Sequence, residues 1–192
     1  MRGELIAAVT TGAIVAYLAL ASAVRRRSIA FRGASLRREG GLAAALPYFV
    51  PIPYLVVALR PGTELPLPDA VRWLGLALVI GGVMFSMWAA LTLGAHFDME
   101  VEYHAGHEVV RAGPYGIVRH PVYSGLALHL LGACFATGNL LMLAGTLFVA
   151  IPALYLRAAI EERLLRSELG PAYDAYAREV GMLVPFLGTA SR

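Results

Sequence analysis

Two stretches hold the side chains whose types and spacing could do chemistry. Gly113-Pro114-Tyr115-Gly116-Ile117-Val118-Arg119-His120-Pro121-Val122-Tyr123-Ser124-Gly125 packs an Arg, a His and two Tyr into a segment punctuated by Gly and Pro, between two long apolar runs. Arg157-Ala158-Ala159-Ile160-Glu161-Glu162 is the other, and a spacing of four puts Arg157 and Glu161 on one helical face. On a solvated helix that pair reads as an ordinary salt bridge. Here it sits at the end of an apolar run, with the first cluster one hairpin away. Polar residues gathered at a membrane boundary line sites more often than they face lipid, so both clusters read as parts of a site. A third polar stretch, residues 94–120, offers His96, Asp98, Glu100, Glu102, His104, His107 and Glu108. These are metal-ligand types, but their spacing fits no closed zinc pattern. A solvated loop is the stronger reading, and no metal is expected.

The elements that position these residues follow from composition. The chain has 192 residues, of which 58% are hydrophobic and 15% charged, with a mean hydropathy of +0.66. Soluble domains carry about 45–50% apolar and about 25% charged residues, so an integral membrane protein is the leading class. One domain over 1–192 is the natural count, with less characteristic spans in 1–69 and both polar clusters within 94–187. All 16 basic residues are Arg and the net charge is +3. The Arg cluster near apolar edges, which reads as membrane topology rather than nucleic-acid binding. The one cysteine, Cys134, lies in an apolar run and reads as a small core residue.

Five spans are expected in an all-α fold. Residues 5–24 are apolar and long enough to cross a bilayer. Ala21-Ser22-Ala23 resembles a signal cleavage site, but Arg25-Arg26-Arg27 follows directly, and a first span is preferred. The Arg-rich loop 25–39 places itself in the cytoplasm and the N-terminus outside. Contact with anionic head groups of membrane lipids is compatible with that placement. Residues 41–59 form a second span bent by Pro47, Pro51 and Pro53. Residues 71–93 form a third, in which Gly81-Gly82 lets a neighbour approach closely. Residues 122–137 and 140–156 form a helical hairpin turned at Gly138-Asn139. The last helix continues through 157–169 into the cytoplasm and stops at Gly170-Pro171. A short helix over 171–180 presents Tyr173, Tyr176 and Val180 on one face. Residues 182–187 are apolar again and dip back to the membrane. No strand is evident.

The order of motifs resembles the isoprenylcysteine carboxyl methyltransferase family and its phospholipid methyltransferase relatives. The resemblance covers about residues 94–187. It rests on His107-Glu108-Val109-Val110, Gly113-Pro114-Tyr115 and Arg119-His120-Pro121-Val122-Tyr123-Ser124-Gly125 in one half. In the other half it rests on Arg157…Glu161-Glu162, Gly170-Pro171-Ala172-Tyr173…Tyr176 and Val184-Pro185-Phe186. It implies that His107, Glu108, Val109 and Val110 hold the adenosine part of S-adenosyl-L-methionine, largely through backbone groups, and that Tyr115 packs against the cofactor. It further implies that His120, Pro121, Val122 and Tyr123 line the methionine end and that Glu161 takes the ammonium group. Glu100 stands where the family often has a Gln at the cofactor. Arg157 would meet the substrate, which makes Arg157 and His120 the catalytic candidates. Arg119 and Glu162 belong to the motif without an assigned contact.

Such an enzyme would hold its cofactor at the cytoplasmic face and receive a lipophilic or prenylated acceptor sideways from the bilayer. Transfer from a sulfonium to a carboxylate neutralises charge, so a dry pocket favours it and no base is required. Arg157 could then orient the carboxylate with a bidentate contact. A phospholipid amine, polyketide hydroxyl or thiol must lose a proton, and His120 or a Glu would then be the candidate base. A membrane sensor that binds ligand without chemistry is a rival. A transporter is another, although no paired repeat supports it.

Overall fold

The structure, a computed structural model, describes residues 64–94 and 109–189, together with 9–12, 15, 19, 22, 37–38, 46–53 and 102–103. The first two expected spans, the Arg-rich loop between them and most of the polar stretch 94–108 lie wholly or largely outside these residues. So do three candidate cofactor residues, Glu100, His107 and Glu108.

Helix α1 is Asp69–Leu93, 25 residues long, starting two residues before the expected span. Asp69 in its first turn suits the positive end of the helix dipole, and Gly94 ends it with φ 52°. Helix α2 is Pro121–Thr137, 17 residues. It begins with a proline, whose missing N–H costs nothing at that position. It closes on Gly138, which at φ 71° adopts the left-handed conformation that side chains disfavour. Asn139 then starts the next helix by accepting a hydrogen bond from the Met142 N–H at 2.9 Å. The Gly-Asn dipeptide thus ends one helix and caps another.

Helix α3, Leu140–Leu169, runs unbroken for 30 residues, so the apolar run and its polar extension are one element. Thr146–Ala150 within it is wound as a π-helix. That stretch abuts Pro152, which has no N–H to offer the carbonyl of Phe148. Gly170 at φ 53° and Pro171 terminate α3, and α4, Pro171–Glu179, follows. Helices α1 and α3 are long and apolar enough to cross a membrane, whereas α2 is shorter. Among the described residues, Arg37–Arg38 lies antiparallel to Glu102–Tyr103, and single bridges join Glu64 to Asn139 and Val118 to Gly181. The sequence had offered no strand there.

The closest packing joins α1 to α2. A Cβ on Gly82 would come within 2.5 Å of the Gly125 carbonyl and 2.6 Å of the His129 N–H. Gly81 meets nothing within 4 Å, so only one of the Gly-Gly pair makes the close approach. At this contact Ser86 Oγ donates to the Val122 carbonyl at 2.9 Å. Arg72 of α1 caps the far end of α2 by donating to the carbonyls of Ala136 at 3.0 Å and Thr137 at 3.1 Å. Cys134 is buried and reaches Thr146 of α3 at 3.4 Å.

Candidate functional site

The N-terminus of α2 is held in place by the C-terminal segment. The Arg119 N–H donates to the Gly181 carbonyl at 2.8 Å and the His120 N–H to the Met182 carbonyl at 3.1 Å. Ser124 Oγ donates to the Leu183 carbonyl at 2.7 Å. The buried Arg119 guanidinium binds Glu162 Oε1 at 2.6 Å. It also donates to the carbonyls of Ala177 at 3.0 Å, Val180, and Gly188 at 3.0 Å. One side chain therefore ties α3, α4 and the turn after α4 to the residue beside His120. The expected apolar stretch 182–187 forms this turn, with Val184, Phe186 and Leu187 exposed.

His120 is buried between the two carboxylates of α3. Its Nδ1 lies 3.6 Å from Glu161 Oε2 and its Nε2 3.4 Å from Glu162 Oε1. Nε2 is close enough for charge attraction but makes no hydrogen bond. Its ring stacks on Tyr123, centroids 5.6 Å apart at 8°. The Tyr123 hydroxyl donates to Glu161 Oε2 at 2.9 Å and accepts from Arg157 Nε at 3.0 Å. On the other side, Arg166 donates to Glu162 at 3.3 Å and to Asp174 at 3.0 Å. Burial alone would lower the His120 pKa from 6.5, but Glu161 and Glu162 outweigh it and hold the imidazole above that value. Tyr173, on α4, is buried with an unpartnered hydroxyl. Burial, and after it the negative charge of Glu162, push its pKa up, so it stays a neutral donor.

Of the residues singled out by sequence, Arg157, Tyr123, Glu161 and His120 thus meet in one chain of contacts. Tyr115 and Val109 are drawn instead to α4. The Tyr115 carbonyl accepts from Tyr176 Oη at 2.6 Å, and Val109 packs against Tyr173, Tyr176 and Ala177. Val110 is half-buried. Pro121 is the buried first residue of α2. The Val122 side chain packs toward Val83 and Ala90 of α1. Sequence reasoning left Arg119 and Glu162 without a contact and passed over Arg166. The spacing of Glu162 and Arg166 was a readable signal for that pair.

Beside this network lies a cleft of about 530 Å³. Its lining includes Tyr155 and Arg163 of α3, Leu183 and Leu187 of the turn after α4, and the buried Arg119 and Glu162. A cleft lined by both apolar and charged side chains can take an amphiphile.

A helical chain with a charged network at the ends of membrane-length helices matches the phospholipid methyltransferase family model over residues 70–172. The chain belongs to that family. It is 30% identical over 119 residues to a probable protein-S-isoprenylcysteine O-methyltransferase of Oryza sativa subsp. indica, covering 61% of this chain and 62% of the relative. It is 30% identical over 115 residues to protein-S-isoprenylcysteine O-methyltransferase B of Arabidopsis thaliana, covering 59% and 58%. It is 42% identical over 74 residues to a methanethiol S-methyltransferase of a Pseudomonas strain, covering 37% and 26%. The chain thus spans about three fifths of the length of the isoprenylcysteine relatives.

Proposed function

We propose that the protein is a membrane methyltransferase that uses S-adenosyl-L-methionine to methylate a lipophilic acceptor at the cytoplasmic face. The observation that carries this reading is the largely buried Arg157–Tyr123–Glu161–His120–Glu162 chain beside a cleft of mixed apolar and charged lining, in a chain of the phospholipid methyltransferase family. The donor set fits such a cofactor. Glu161 offers a partly accessible carboxylate to an ammonium group, and the unpartnered Nε2 of His120 and hydroxyl of Tyr173 are buried polar atoms with capacity to spare. When bound, the cofactor supplies an electrophilic methyl group on a positively charged sulfur. The chain's residues would bind and orient: Glu161 and Tyr123 the amino-acid end, Val109, Val110 and Tyr115 the nucleoside end. His107, Glu108 and Glu100 would join them.

The acceptor enters along Tyr155 and Leu187 from the bilayer. A prenylated carboxylate follows the names of the Oryza and Arabidopsis relatives; Arg157 would orient it and no base is needed. A thiol is the second reading, favoured by the methanethiol S-methyltransferase relatives. Five spans with the N-terminus outside and the C-terminus in the cytoplasm complete the proposal. Turnover of labelled S-adenosyl-L-methionine by the purified protein against prenylcysteine, phospholipid amine and thiol acceptors tests it. Glu161→Gln should weaken cofactor binding about 10- to 100-fold, since a hydrogen bond to a charged group contributes roughly 1.5–3 kcal/mol. Unchanged binding in that variant, or no methyl transfer to any acceptor class, refutes the assignment.

A further inference from the structure

Glu161 and Glu162 are adjacent in sequence but differ in their partners. Glu162 is shared by Arg119 at 2.6 Å, Arg166 at 3.3 Å and His120 at 3.4 Å. Glu161 has no guanidinium in direct contact among the described residues; it faces the Tyr123 hydroxyl and His120 Nδ1, and Arg157 reaches it only through Tyr123. Its side chain is 32% exposed, against 4% for His120. A ligand can therefore reach the Glu161 carboxylate from outside, whereas His120 stays enclosed. Resting on the functional reading above, we infer that the Glu161 carboxylate is a cation subsite held in the free protein by the imidazolium of His120, and that a ligand ammonium takes it only as His120 gives up one proton.

The charges around the ring decide the outcome. Its own segment supplies Arg119, α3 supplies Glu161, Glu162, Arg157 and Arg166, α2 supplies Tyr123, and α4 supplies Tyr173 and Asp174. With both carboxylates available, a charged ring is favoured, which agrees with its raised pKa. Once an ammonium occupies Glu161, a charged ring would be a third cation beside that ammonium and the buried Arg119. Its N–H proton then passes to solvent, and no covalent bond forms or breaks elsewhere. The ring is left neutral, with one nitrogen lone pair, in the state that holds ligand. His120 is accordingly a proton store in the empty site and a potential acceptor only in the loaded one. By linkage, cofactor affinity rises by up to about tenfold per pH unit between the loaded-state and free-state pKa values of His120 and is flat outside that window.

Calorimetry of the purified full chain with S-adenosyl-L-methionine, at pH 7 in buffers of different ionisation heat, reads the proton directly. Net proton release, up to one per cofactor, is expected. None is expected with 5′-methylthioadenosine, which lacks the ammonium group. Binding of the cofactor without proton release, or equal release with both ligands, overturns the inference and leaves the functional reading standing. Absence of cofactor binding overturns the functional reading and the inference with it. A second measurement needs no ligand. In histidine-labelled free protein, the His120 resonance, assigned by its loss in His120→Gln, should titrate above 6.5 and move down in Glu161→Gln. A His120 that titrates at or below 6.5 in the free protein overturns the inference.

Discussion

Arg119 shows how much of the site depends on one side chain that carries no chemistry of its own. Its guanidinium is buried with Glu162 and satisfies three backbone carbonyls from the last part of the chain. Removing one partner of a buried pair costs up to about 3–5 kcal/mol, and less where, as here, Arg166 and His120 still face the remaining carboxylate. Arg119→Ala should therefore lower the unfolding midpoint in detergent strongly, and Arg119→Lys should restore only part, because an ammonium cannot reproduce the planar fork. A midpoint equal to that of the parent would show that the clamp is dispensable. His120 gives a prediction of opposite pH sense to the usual carboxylate case. Its folded-state pKa is raised above 6.5, so its contribution to stability is complete below that value and is lost as pH climbs through the raised one. The midpoint of the ligand-free protein should fall across that range, and the fall should vanish in His120→Gln. At this scale the sequence displayed His120, Tyr123, Arg157 and Glu161, because polar types stand out against apolar runs. It hid the backbone partners of Arg119. These are carbonyls 58 to 69 residues downstream, and a carbonyl has no residue-type signature.

Among the elements, apolar length and helix breakers located α1, α2 and the Gly138-Asn139 turn to within two residues. The continuation of the last apolar run through Arg157, Glu161, Glu162, Arg163 and Arg166 was legible as one helix, whereas the π-wound segment before Pro152 left no periodic trace. The role of Gly82 was legible, but its partners Gly125 and His129 were not, since packing register depends on both helices. Gly82→Leu should force α1 and α2 apart at the Ser86–Val122 contact. Overpacking of this kind costs about 1–3 kcal/mol or more, and because Val122 is two residues from His120, cofactor binding should weaken too. Gly81→Leu, facing open space, is the matched control. Equal behaviour of the two variants would contradict the described packing.

For the molecule as a whole, charge asymmetry and lateral access belong together. Arg163 on the cleft wall, Arg166 beside it and the exposed apolar tip at Phe186, 88% accessible, mark a polar-to-apolar boundary at one end of α3. If that boundary lies at the cytoplasmic surface, as proposed, the loop 25–39 with its six Arg shares the same side. Because Cys134 is buried, a cysteine placed by Ser35→Cys becomes the reactive reporter. It should be labelled by a membrane-impermeant reagent only after the cytoplasmic side is opened, and labelling of intact cells from outside would invert the topology.

The clamp at Arg119 also sets an order in time. Its guanidinium waits for a carbonyl 69 residues further along, and translation at roughly 5–20 residues per second delays that meeting by roughly 3–14 s. Until the ribosome has passed Gly188, the first cluster can be in the bilayer with its arginine still lacking those acceptors. The scaffold around His120 therefore cannot close before Gly188 has been made, however early the first cluster is inserted.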